Sequence, residues 1–130
     1  MPRVKCRVLC VDDHKDSAEM LCTLLSSEDY EVAIAGTMEE ALRLAVSEAF
    51  DLYVLDRHLP DGTGIELCRA LNQLTPEVPC IFYSGDAYEM HRRQALNAGA
   101  DVYVAKPDIE GLIDAVQKLL SDRECATAAL

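Results

Sequence analysis

Five polar side chains stand directly after short apolar runs. Asp12 and Asp13 follow the run 8–11, Asp56 follows 52–55, Ser84 follows 78–83, and Lys106, with Pro107 behind it, closes the run at 102–104. A second run, 32–35, ends in Ala35 and Gly36 and offers no such group. Three carboxylates brought to one edge repel each other, and a single lysine among them leaves the cluster short of positive charge. A divalent cation restores the balance. An all-oxygen donor set with few protein ligands suits Mg²⁺ with retained waters better than a Ca²⁺ cage or a thiolate-seeking metal. A cation, a lysine and a hydroxyl converging on one carboxylate is a device for phosphoryl transfer, because they neutralise charge that develops on the transferred group. The carboxylate would be the nucleophile and the product an acyl phosphate.

The elements that must position these groups are legible in the apolar pattern. The five runs recur at intervals of a little over twenty residues and are apolar throughout rather than alternating, which suits strands buried on both faces of a parallel sheet. Helical stripes lie between them: Ala18, Leu21, Cys22 and Leu25, then Met38, Ala41, Leu42 and Ala45, and last Ile109, Leu112, Ile113, Val116, Leu119 and Leu120. Thr37 with Glu40, Thr63 with Glu66 and Asp86 with Glu89 place a side-chain acceptor three residues ahead of a glutamate, the pattern of a helix start. Gly99 reads as the cap that ends the fourth helix, and Asp108 opens the fifth. Strand and helix thus alternate five times. That order predicts a (βα)5 α/β fold, doubly wound, with a five-stranded parallel sheet and helices on both faces. In such a sheet ligands bind outside the carboxyl ends of the strands, which is where the five polar residues stand. The chain reads as a single domain over 1–130, its core about 4–120, with 121–130 a helix end or tail.

Composition narrows the partners. The 130 residues carry 12 lysines and arginines against 23 aspartates and glutamates, a net charge of −11. That charge argues against nucleic acid and anionic lipid surfaces. No apolar run approaches the ~20 residues of a bilayer span, and the start of the chain lacks the apolar stretch of a secretory signal. The six cysteines, Cys6, Cys10, Cys22, Cys68, Cys80 and Cys125, form no C-x-x-C pair. They read as free, small hydrophobes in a reducing cytoplasm.

The strings VLCVDDH, YVLDRHLPDGTG, FYSGD and GADVYVAKP resemble the four signatures of the receiver domain of bacterial two-component response regulators, in order and over about residues 4–120. Asp13 to Asp56, Asp56 to Ser84 and Ser84 to Lys106 are 43, 28 and 22 residues apart, spacings similar to the family's. The resemblance implies a flavodoxin-like sheet of order 2-1-3-4-5. It implies that Asp56 accepts a phosphoryl group from a phosphohistidine of a sensor histidine kinase or a histidine phosphotransfer protein. It further implies that Asp13, Asp56 and the backbone carbonyl of His58 ligate Mg²⁺, with Asp12 acting mainly through water. Ser84 and Lys106 would hold the phosphoryl oxygens, Tyr103 would be the aromatic switch, and Lys106-Pro107 a cis peptide. His58 and Asp86, two residues beyond Asp56 and Ser84, fall where the family tunes phosphoryl lifetime, and they are expected to face each other across the site.

Ser84 stands where threonine is more frequent, Gly85 where alanine is usual, and Arg57 where an apolar residue is common; these departures bear on rate. With so few residues after Leu120, the expectation is a stand-alone receiver similar to the chemotaxis response regulators, cytoplasmic, a monomer or weak dimer, and not an enzyme in its own right. Its output would run through a partner docked on the face of the fourth helix, fifth strand and fifth helix, where His91, Arg92 and Arg93 form a basic spot. A phosphorelay shuttle and a receiver excised from a larger regulator or hybrid kinase are the alternatives. A haloacid-dehalogenase-like phosphatase is more distant, since Val11-Asp12-Asp13-His14 lacks its D-x-D-x-[TV] motif. A flavodoxin-type cofactor binder would want a phosphate-cradling loop where this chain holds two carboxylates.

Overall fold

The computed structural model describes residues 5–85 and 88–121. Five strands, β1 (Arg7–Val11), β2 (Glu31–Ala35), β3 (Leu52–Leu55), β4 (Cys80–Ser84) and β5 (Val102–Ala105), form one parallel sheet in the order β2-β1-β3-β4-β5. Five helices alternate with them: α1 (Lys15–Ser27), α2 (Met38–Ser47), α3 (Gly64–Leu74), α4 (Glu89–Asn97) and α5 (Ile109–Ser121). Between β3 and α3, His58–Leu59 pairs antiparallel with Gly62–Thr63 as a short hairpin. The expected fold is thus the observed one.

Successive strand residues point to opposite faces, and each face has its own core. Leu9, Val11, Tyr53, Leu55 and Phe82 pack on one side with Ala41 and Ala45 of α2, Leu67 and Leu71 of α3 and Ala95 of α4. On the other side Val8, Cys10, Leu52, Val54, Ile81 and Tyr83 meet Leu21 and Leu25 of α1 and Leu112, Val116 and Leu120 of α5. The central strands β1, β3 and β4 are buried almost throughout, while the edge strands β2 and β5 are mostly half-buried, because only one neighbour covers each edge. Burial of about six large side chains per face, at roughly 1.5–3 kcal/mol each, supplies the main driving force.

The helix starts follow the sequence pattern at three places and depart at one. Thr37 Oγ1 accepts the Glu40 N–H at 3.1 Å, Thr63 Oγ1 accepts that of Glu66 at 3.2 Å, and Asp108 Oδ1 accepts that of Gly111 at 3.0 Å. The fourth helix begins at Glu89 with Tyr88 at its N-cap and no capping side chain; Asp86, the expected cap, lies outside the described residues. Gly99 ends that region with φ 114°, a left-handed value open to glycine. The far end of the sheet is clamped by two aspartates. Asp51 Oδ2 accepts the Arg7 N–H at 2.8 Å, and Asp101 Oδ2 accepts that of Cys80 at 3.0 Å, so each ties two neighbouring strand starts together.

Cys10, Cys68 and Cys80 are buried free thiols and Cys22 a half-buried one. Cys6 corrects the expectation of six free cysteines, because it is disulfide-bonded. It sits one residue ahead of β1, half-buried against the core that encloses Cys10. Cys125 lies outside the described residues. No described helix is long and apolar enough to cross a membrane.

Candidate functional site

The sheet ladder continues one step past the strands, and that step holds the site residues in place. The Asp12 N–H donates to the Ala35 carbonyl at 3.0 Å, the Asp56 N–H to that of Val11 at 2.9 Å, and the Lys106 N–H to that of Ser84 at 2.7 Å. Chain order reverses between β1 and β3, since β2 lies on one side of β1 and β3 on the other. The crevice at that switch point receives Asp12 and Asp13 from β1 and Asp56 from β3.

Asp12 and Asp56 are only 4% and 7% exposed, whereas Asp13 faces solvent. Lys106 Nζ reaches across from β5 to Asp12 Oδ2 at 3.0 Å, and the ring of Tyr83 lies 5.6 Å beneath the same ammonium. Asp56 Oδ1 accepts the Arg57 N–H at 2.8 Å. Burial is the largest influence on the Asp56 carboxyl and raises its pKa. Lys106 and the Arg57 N–H pull it back, while Asp12 and Asp13 add to the rise, and the balance stays above the ordinary carboxylate value. A cation placed among these carboxylates would relieve that cost. Asp12, Asp13, His14 and Asp56 each offer a ligand atom, and all four atoms lie within 4.8 Å of one another. The three carboxylates of this compact group form an oxygen donor set that fits a hard divalent ion such as Mg²⁺.

A cavity of about 830 Å³ opens over the cluster, with Asp56, Ser84 and Lys106 in its wall beside His14, Ser17, His58, Gly85 and Tyr88. Ser84, the last residue of β4, is buried at this rim. His58 is exposed and shares the cavity; its expected counterpart Asp86 lies outside the described residues. Tyr103 is half-buried in β5, in register with Phe82 and stacked on its ring at 6.1 Å. Lys106-Pro107 is a cis peptide.

Two contributors, His14 and Asp61, escaped the sequence reading. His14 enters the acidic cluster itself, its Nδ1 3.2 Å from both Asp12 Oδ1 and Asp13 Oδ1. Asp61 accepts the N–H groups of Met38 at 2.7 Å and Glu39 at 3.0 Å, tying the loop after Asp56 to the start of α2. These two amides hold its carboxyl below the ordinary range. Tyr88, 72% exposed, forms the outer lip of the cavity.

The strand order and the acidic pocket at the strand ends define the flavodoxin-like class of α/β domains whose site lies at the sheet's carboxyl edge. Within that class, residues 8–117 match the response regulator receiver domain, and the chain belongs to that family. The KDP operon transcriptional regulatory protein KdpE of Escherichia coli is 38% identical over 122 residues, 94% of this chain and 54% of its own length. The chain spans about half the length of the curated relatives it matches. Among solved structures, a CheY-like receiver domain protein from Methanospirillum hungatei superposes with a TM-score of 0.86 at 34% identity, covering 92% of this chain and 96% of that one. TrrA of Thermotoga maritima, solved in complex with Mg²⁺-BeF, has a TM-score of 0.81 at 33% identity over 88% of this chain and 99% of its own.

Proposed function

We propose that this single receiver domain takes a phosphoryl group from the phosphohistidine of a sensor histidine kinase or histidine phosphotransfer protein onto Asp56, in a Mg²⁺-dependent reaction. The observation that carries this reading is a buried carboxylate at the end of β3, flanked by Asp12 and Asp13, with Ser84 and Lys106 in the same cavity wall. Asp13, Asp56 and the His58 carbonyl would hold the ion, and Asp12 would steady it through water while pairing with Lys106. When bound, Mg²⁺ neutralises charge on the transferred group.

An Asp56 carboxylate oxygen attacks phosphorus from the open cavity. The new O–P bond forms as the P–N bond of the donor breaks, and the departing imidazole leaves with the proton it already carries. Lys106 then exchanges its Asp12 contact for a phosphoryl oxygen, and the Ser84 hydroxyl donates to another. The pull on Ser84 and Lys106 is transmitted along β4 and β5 to Tyr103, whose ring repacks against Phe82. That movement alters the face of α4, β5 and α5, where exposed Tyr88 and Met90 offer apolar contact to a protein partner. His58 and Asp86 govern water access and so the lifetime of the acyl phosphate. The site of action is the cytoplasm, where ATP-fed histidine kinases make the donor.

Intact-mass measurement after incubation with Mg²⁺ and acetyl phosphate tests the reading. The protein gains about 80 Da, one phosphoryl group in place of a proton. Asp56→Asn gains nothing, and neither does the native chain in excess EDTA. A native chain that stays unmodified under donor and Mg²⁺ overturns the proposal.

A further inference from the structure

We propose that His14 is a metal ligand, so that the pocket takes an imidazole-seeking divalent ion of the Co²⁺ or Zn²⁺ class as a nitrogen-containing site, in addition to taking Mg²⁺ through oxygen alone. This rests on the reading of Asp12, Asp13 and Asp56 as a cation site and names a second class of ion for it. His14 holds the N-cap position of α1, yet its imidazole makes no capping hydrogen bond to the helix. It turns toward the carboxylates, while its backbone N–H donates to Asp12 Oδ1 at 2.9 Å and fixes the turn.

The spacing of the donor atoms supports ligation. Two ligands about 2.1 Å from one ion lie ~3.0 Å apart at adjacent corners of an octahedron and ~3.4 Å apart in a tetrahedron. His14 Nδ1 lies 3.2 Å from Asp12 Oδ1, 3.2 Å from Asp13 Oδ1 and 3.9 Å from Asp56 Oδ2. The contact with Asp12 is a hydrogen bond that steers the ring, while the separations from Asp13 and Asp56, the two direct carboxylate ligands, fit edges of a coordination polyhedron, the wider after a small closure. The side chain is 70% exposed, so nothing packs it into this pose and rotation about its own bonds suffices to seat it.

The choice of ion follows from ligand chemistry. Mg²⁺ holds its waters and seeks oxygen, so it gains little from an imidazole. Later first-row ions gain affinity from a nitrogen donor. The acidic residues set where a cation sits, and His14 would set which cations compete for the place.

Proton NMR of the Co²⁺-loaded chain, paired with calorimetric titration of Co²⁺ and Mg²⁺, tests the assignment. The native chain shows an exchangeable, paramagnetically shifted resonance from a coordinated imidazole, and Mg²⁺ in excess removes it by competition. His14→Ala loses the resonance and binds Co²⁺ at least about tenfold more weakly, a larger loss than it shows for Mg²⁺. His91→Ala, on α4 and outside the lining of the cavity, retains both. A resonance that survives in His14→Ala, resists Mg²⁺, or is absent from the native chain while Mg²⁺ binds normally overturns the ligand role of His14. Failure of Mg²⁺ itself to bind the native chain instead overturns the reading of the acidic cluster as a cation site, which separates the two claims. Because His14 is so exposed, the variant folds and the comparison is between folded proteins.

Discussion

Asp56 is a carboxylate withdrawn from water beside two others, and only Lys106 and one backbone N–H oppose the cost. Its folded pKa lies above the ordinary 3.8, so the folded state holds its proton to higher pH than the unfolded state does. Stability from this group is therefore fully present below about 3.8 and is lost as pH rises through the folded value. Asp56→Asn removes the charge and keeps the shape. In the absence of divalent ions it raises the thermal midpoint at pH 7, and the gain shrinks toward zero as pH falls below the ordinary carboxylate value; a constant difference across that range contradicts the account. Added Mg²⁺ raises the midpoint of the native chain more than that of Asp56→Asn, because ligand binding stabilises only the state that holds the site. The acidic residues were legible in sequence because each directly follows an apolar run. His14 was not, since nothing in VLCVDDH says which way an imidazole at a helix N-cap turns.

Among the elements, the loop from β3 to α3 governs how rigidly Asp56 is presented. Gly64 opens α3 with its N–H donating to the Arg57 carbonyl at 2.7 Å. A Cβ there would lie 2.1 Å from the Asp56 carbonyl oxygen and 2.9 Å from the Phe82 ring, so no side chain fits without moving the acceptor's own backbone. Gly64→Ala is expected to lower stability by about 2–4 kcal/mol in urea denaturation; unaltered stability would show that the loop yields freely. Its need for glycine comes from a contact between α3 and the end of β3, which local pattern does not display. Asp61, bound to the first turn of α2, is a second such long-range tie. The strands and the helices α2, α3 and α5 were readable because two-sided burial and Thr or Asp caps leave local marks. The start of α4 is less legible for the opposite reason. Its N-cap is Tyr88, without a side-chain cap, and among its residues only Ala95 is buried, so a weak stripe and an unhelpful cap left the boundary undefined.

At the scale of the molecule, the charge of −11 divides between a solvated surface and a site. Asp12, Asp13 and Asp56 concentrate part of it at the switch point of the sheet, where charge is costly until a cation or Lys106 answers it. Phosphorylation would replace a carboxylate of charge −1 by a group near −2. That extra charge would fall on Lys106 and Ser84 at the ends of the two strands that border the output face. The proposed phosphoryl transfer thus depends on one oxygen atom, that of Asp56, becoming the acceptor. Borohydride reduction of the acetyl-phosphate-treated protein, which converts an acyl phosphate to the alcohol, followed by peptide mass spectrometry tests this most directly. The account predicts homoserine at position 56, with Asp12 and Asp13 unchanged and no conversion when Mg²⁺ is withheld. Homoserine at position 12 or 13, or at none of the three, would contradict it.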